Sequence, residues 1–160
     1  MKAIVAVSRN YGIGNDNSLL FHIPEDLKFF KAMTLNKVVV MGRKTLESLP
    51  GGKPLKDRTT VVLSSSKSID GAITASSKDD LFDILSKYNT DDIMICGGEQ
   101  IYNLLLPLCD TSYVTKIDKE ACADKFFPNL DLLPEWKLIE ESDEKEHNGI
   151  KFKFTTYKKD

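Results

Sequence analysis

The chain has 160 residues, 41% of them apolar and 29% charged, which is enough to bury one sizeable core and short for two domains. Its 22 basic and 24 acidic residues are mixed along the sequence and leave a net charge of −2, with no basic block, so nucleic acid is not an expected partner. Cys96, Cys109 and Cys122 have no C-x-x-C spacing and read as free thiols of a reducing compartment, and with His22 and His147 far apart no metal centre is expected.

The apolar opening run reaches Ser8-Arg9-Asn10 too soon for a signal peptide or a membrane span, which places the protein in the cytoplasm. Residues 3–7 are continuously apolar and rich in β-branched side chains, the pattern of a strand buried on both faces of a mostly parallel sheet. Residues 8–18, rich in Gly and Asn, predict a mobile loop whose length suits a lid. Gly12-Ile13-Gly14 is not a dinucleotide fingerprint, because the third glycine is missing and no helix opens after it.

Pro24 fits the first position of a helix, and Glu25 and Asp26 follow where the positive end of the helix dipole favours acids. On a helix running to about Thr34, Asp26 shares a side with Leu27, Phe29, Phe30 and Met33, while Glu25, Lys28 and Lys31 fall toward water. A carboxylate among apolar side chains is costly unless something donates hydrogen bonds to it, and no Lys or Arg lies one turn away. A ligand with two adjacent N–H donors, such as a 2-amino-4-oxo pyrimidine ring, would meet that need.

Further strands are expected at 37–41, 59–63, 73–75 and 93–96, with helices over 42–49, 78–88 and 99–106. Segments 112–117, 136–140 and 150–157 then read as strands without long helices between them. The last alternates Ile150, Phe152 and Phe154 against Lys151, Lys153 and Thr155, as in an antiparallel strand with one wetter face. The expected fold is therefore a single α/β domain, a mostly parallel central sheet flanked by helices on both faces and ending in an antiparallel strand pair. Ligands in such sheets gather beyond the carboxyl ends of the strands.

Two of those ends carry the same device. At Met41-Gly42-Arg43 and Cys96-Gly97-Gly98-Glu99 a buried strand meets glycine and turns into a helix, presenting bare backbone N–H groups, and two such joints favour a pyrophosphate between them. Arg43, Lys44, Ser64, Ser65 and Lys67 are donors suited to a 2′-phosphate, where a reader of plain ribose would place an acid. NADPH is thus expected over NADH.

These residues carry a resemblance to a known family. Ile13-Gly14 with Asn17, Pro24-x-Asp26-Leu27-x-x-Phe30, Met41-Gly42-Arg43-x-Thr45, Leu63-Ser64-Ser65, Gly97-Gly98 with Ile101-Tyr102, and Thr115 before Ile117-Asp118 occur in the order found in bacterial-type dihydrofolate reductase, which the chain resembles along almost its whole length. The resemblance implies NADPH-dependent reduction of 7,8-dihydrofolate to tetrahydrofolate, with dihydrofolate and antifolate-type inhibitors as ligands, and with no exposed apolar stripe apparent a monomer is expected.

Carried over by residue, the resemblance gives Asp26 the 2-amino group and N3 of the pterin, with Thr115 bonded to Asp26. Val5, Ala6 and Cys96 would touch the pterin, Ala6 and Cys96 also the nicotinamide. Leu27, Phe30, Leu49 and Leu55 would flank the ring and the p-aminobenzoyl group, and Arg58 would pair with the glutamate α-carboxylate. Ile13, Gly14, Asn17 and Leu19 of the lid, then Gly42, Arg43, Lys44, Thr45, Leu63, Ser64, Ser65, Gly97, Gly98, Glu99, Gln100, Ile101 and Tyr102, would line the cofactor. Hydride would go to C6, and N5 would take its proton from water admitted under residues 15–20, Asp26 acting as an electrostatic anchor.

Three positions depart from the family pattern: Phe21 stands for a usual Trp, Leu20 for a common Pro, and Glu99 for a frequent third Gly. Leu20 and Phe21 border the reacting ring, so these changes bear on its water network and on lid stiffness, and Glu99 bears on the phosphate contacts. Gln100, where some members have Arg, leaves more of the 2′-phosphate to Arg43 and the serines. The rival readings are the related reductase of riboflavin synthesis, which lacks the Asp-bearing helix start, and a non-catalytic NADPH- or folate-binding module.

Overall fold

The computed structural model describes residues 1–16, 18–66 and 68–160. In chain order its elements are β1 (Lys2–Val7), β2 (Gly12–Gly14), α1 (Pro24–Thr34), β3 (Val38–Gly42), α2 (Arg43–Ser48), β4 (Thr59–Leu63), β5 (Ile73–Ala75), α3 (Lys78–Leu85), β6 (Ile93–Gly97), α4 (Glu99–Leu105), β7 (Thr111–Ile117), β8 (Lys125–Phe126), β9 (Trp136–Glu141), β10 (Lys145–His147) and β11 (Ile150–Lys159). The β-branched runs form the interior of a sheet ordered β10-β11-β7-β1-β6-β3-β4-β5, with β9 pairing the far half of β11.

Every pair from β7 across to β5 is parallel, so the carboxyl ends of β7, β1, β6, β3 and β4 open along one edge. β11 runs antiparallel to β7, β9 and β10. Helices cover both faces: Leu81 and Leu85 of α3 with Ile101, Tyr102 and Leu105 of α4 pack on one, and Leu46 of α2 with Phe29, Phe30 and Met33 of α1 on the other. The fold class is the one the sequence predicts.

The differences are local. Gly42 closes β3 instead of opening α2, and α3 stops at Leu85, short of the expected Tyr88. The loop over 8–18 contains β2, which pairs antiparallel with β8 in a separate two-stranded sheet. Strands this short carry no periodicity of their own and exist through their partners. Among the described residues no helix is long and apolar enough to cross a membrane.

Candidate active site

Helix α1 begins as its sequence requires, with Pro24 in the first turn followed by Glu25 and Asp26. The two acids then part company. Glu25 reaches the ammonium of Lys145 at 3.5 Å on the outer side. Asp26 turns inward, where the hydroxyl of buried Thr115 on β7 donates to its Oδ1 at 2.7 Å. Among the described residues no cation pairs with Asp26. Burial pushes its carboxyl above the usual carboxylate range, and the Thr115 hydrogen bond opposes that rise.

The wall around this carboxylate comes from α1 and the sheet. Phe29 stacks on Phe154 with ring centroids 4.5 Å apart and meets Tyr113 edge-on at 6.4 Å, which fixes the helix over the sheet. Phe30 and Leu49 are half-buried against Ile4, Val39, Met41, Leu46, Val62 and Met94, whereas Leu27 stays 41% exposed. Ala6 on β1 is in register with Thr115, so the two strand ends that carry them lie side by side beneath Asp26. Val5 is buried in the core, and Cys96, at the end of β6, is half-buried with its thiol pushed up to about 12 by desolvation. That thiol is a neutral, inert wall.

Arg58 bonds to the end of α1. It is half-buried just before β4, its Nε donating to Thr34 Oγ1 at 3.0 Å and its Nη1 to the carbonyl of Lys56 at 2.9 Å. Thr34, fully buried at the end of α1, in turn donates to the Phe30 carbonyl at 2.7 Å. One edge of the guanidinium is thereby fixed by the helix that carries Asp26. Leu55 is also half-buried.

The glycine joints meet across the sheet. Met41 of β3 is in register with Gly97 of β6, and a Cβ added to Gly98 would come within 3.1 Å of the Thr45 hydroxyl on α2. Gly97 has φ +122°, and a Cβ there would press on the Tyr102 ring at 3.3 Å. Tyr102 is immobilised, its hydroxyl donating to the Ile4 carbonyl at 2.6 Å and its ring edge-on to Phe127 at 4.9 Å. Bare backbone therefore runs tight against Tyr102 and Thr45 at these joints, where a side chain would press on its neighbours, and such exposed N–H groups suit a dinucleotide's phosphates. Gly42 pairs with Leu63 of β4, so Arg43, Lys44 and Ser65 follow adjacent strand ends. Lys44 and Ser65 are exposed, Ser64 is buried, and Arg43 is partly exposed with Nη1 2.8 Å from Glu47.

The loop expected to serve as a lid is held at its stem. The Ser8 hydroxyl accepts the Gly12 amide at 2.8 Å, Asn15 donates to the Cys122 carbonyl at 2.7 Å, and the Asp124 carboxylate accepts the Asp16 amide at 3.0 Å. Ile13 packs against the main core, Gly14 accepts the Asp124 amide, and Leu19 is 62% exposed. Asn17 and Lys67 lie outside the described residues.

Comparison with known proteins decides the family. A family model described as dihydrofolate reductase matches residues 1–159. The chain belongs to the dihydrofolate reductase family. It is 38% identical to the dihydrofolate reductase of Bacillus subtilis over 160 residues, covering 98% of this chain and 92% of the relative. It is 41% identical to that of Buchnera aphidicola subsp. Acyrthosiphon pisum over 137 residues, covering 85% and 83%. A solved dihydrofolate reductase from Enterococcus faecalis, complexed with NADP(H) and RAB-propyl, superposes with a TM-score of 0.87 at 30% identity, covering 99% of this chain and 95% of that one.

Within the dihydrofolate reductase family the departing positions find local explanations. Phe21 packs against Ile23, Ile117 and Phe152, so an aromatic body is kept where an indole N–H is lost. Leu20 sits against Gly12, its Cδ1 3.1 Å from where a Cβ would be. Gln100 is exposed and Ile101 is buried. Glu99, expected to line the cofactor, accepts the backbone amide of Phe126 at 2.7 Å through its carboxylate. Sequence reasoning had no signal for that contact, nor for Asp131, which accepts from Tyr11 at 3.2 Å, Lys116 at 2.9 Å and Tyr157 at 2.7 Å.

Proposed function

We propose that this chain catalyses the NADPH-dependent reduction of 7,8-dihydrofolate to 5,6,7,8-tetrahydrofolate, with Asp26 as its substrate anchor. The observation that carries the reading is a desolvated carboxylate bonded to Thr115 at 2.7 Å and answered by no cation among the described residues. Such a group lacks a partner that a pterin's adjacent 2-amino and N3 donors supply in bidentate form. NADPH supplies the hydride that C6 of the pterin receives.

Asp26 acts chiefly through its charge. In a desolvated pocket a fixed carboxylate stabilises positive charge on the bound ring, which favours arrival of a water-borne proton at N5. Leu27, Phe30, Leu49 and Leu55 exclude water from the ring and the p-aminobenzoyl group, with Val5, Ala6 and Cys96 as the floor and Leu20 and Phe21 as the border. Arg58, preset by Thr34 and Lys56, binds the glutamate α-carboxylate. Gly42, Thr45, Gly97, Gly98, Ile101 and Tyr102 shape the phosphate cradle. Arg43, Lys44, Ser64 and Ser65 hold the 2′-phosphate side, and Ile13, Gly14 and Leu19 close over the nicotinamide. The solved Enterococcus faecalis relative, complexed with NADP(H), supports this cofactor.

The product serves one-carbon metabolism, and antifolates that mimic the pterin's donor pair are inhibitors by the same chemistry. We place the protein in the cytoplasm as a single-domain monomer. The test is direct: purified chain is mixed with NADPH and dihydrofolate, and loss of reduced-cofactor absorbance is followed. Turnover supports the reading. Turnover only with a pyrimidine ribityl phosphate selects the riboflavin-pathway reaction, and binding without turnover selects the non-catalytic module.

A further inference from the structure

We infer that Glu99 is a positioning residue, a strut that ties the cofactor's phosphate cradle to the lid. Glu99 is the first residue of α4, directly after the Gly97-Gly98 joint, and its Oε2 accepts the Phe126 amide at 2.7 Å. Phe126 belongs to β8, two exposed residues whose pairing with β2 is irregular, Gly12 facing Phe126 and Gly14 facing Lys125. A ribbon that small does not hold its place unaided.

Its attachments divide into two kinds. The Phe127 amide donates to the Tyr11 carbonyl and the Asp124 amide to that of Gly14, and these bind β8 to the lid stem. Among the described residues, the Phe127 ring, edge-on to Tyr102, and the Glu99 carboxylate tie it to the cradle. The first is an apolar ring contact within the core. The second is a charge-assisted hydrogen bond, which fixes the strand's height and register over α4. The bond also holds an anionic side chain away from the adjacent phosphate site, where a free carboxylate would repel the ligand.

The inference rests on the NADPH reading for its functional half alone. Hydrogen exchange on the protein without cofactor is compared for the parent, Glu99→Ala and Glu99→Gln, and NADPH affinity is measured by quenching of protein fluorescence. In Glu99→Ala the Phe126 amide and residues 12–14 are expected to exchange several-fold faster with the sheet unchanged, and NADPH affinity to fall. Glu99→Gln, which keeps an acceptor oxygen, is expected to restore most of the protection. Unchanged exchange at residues 12–14 in Glu99→Ala, or a Gln variant as impaired as the Ala variant, overturns the strut. A parent that fails to bind NADPH overturns the cofactor reading instead, and leaves the exchange result to judge the strut.

Discussion

The hydroxyl of Thr115 and the carboxylate of Asp26 meet at 2.7 Å although 89 positions separate them in sequence. That bond joins α1 to β7 at the carboxyl edge of the sheet, and it is the one described hydrogen bond the carboxylate receives. Thr115→Val keeps the shape and deletes the donor. A hydrogen bond to a charged group is worth about 1.5–3 kcal/mol, so the KM for dihydrofolate should rise by about tenfold or more. Because the bond also restrains the upward shift of Asp26, the acid-side inflection of the pH–rate profile should move to higher pH. Steady-state kinetics across pH check both effects.

Asp26 also sets a pH dependence of stability. Its folded-state pKa is raised above the ordinary 3.8, with burial the cause, so between that value and the raised one the native state binds more protons than the unfolded chain. Stability therefore falls as pH rises through this window and stays lowered above it. Asp26→Asn removes the cost while an amide oxygen still accepts from Thr115. The variant should melt higher than the parent at pH 7, by about 2–4 °C for each kcal/mol gained in a chain of this size, and lose that advantage below the window. Thermal melts at several pH values test it.

Arg58 is predicted to bind the substrate's tail and not its ring. Its Nε and Nη1 are held by Thr34 and Lys56, leaving the rest of the guanidinium for a carboxylate. Arg58→Ala should raise the KM for dihydrofolate about tenfold or more with a much smaller change in kcat, as for a group that binds ground and transition states alike. A reduced pterin lacking the glutamate should be turned over equally by parent and variant.

Arg43 is predicted to separate the two nicotinamide cofactors. It is partly exposed and shares its charge with Glu47 at 2.8 Å. Arg43→Ala should raise the KM for NADPH far more than that for NADH, since only NADPH carries the 2′-phosphate. Equal effects on both would remove Arg43 from this role.

Particular elements explain what the sequence discloses. Residues 24–34 announce themselves because Pro24, the two acids and the apolar spacing all describe one helix, and Asp26 is conspicuous for having no local partner. The parallel core is equally legible, since strands buried on both faces must be continuous apolar runs. β8 and β10 are not, because two or three residues define a strand only when a partner lies alongside. Arg58 illustrates the same limit: its sequence neighbours are a surface approach, and only folding brings Thr34 under it. Glu99 reads as a misplaced acid near phosphate until the Phe126 amide comes within 2.7 Å.

The central claim is that the Asp26 carboxylate, desolvated and matched by no protein cation, drives reduction of a pterin. The initial rate of dihydrofolate-dependent NADPH oxidation, measured for the parent and Asp26→Asn from pH 5 to pH 8, tests it most directly. The predicted result is a parent active at pH 7 and a variant that loses most of that activity, by about two orders of magnitude, and regains part of it in acid where solvent protonates N5. A variant as active as the parent at pH 7 contradicts the account.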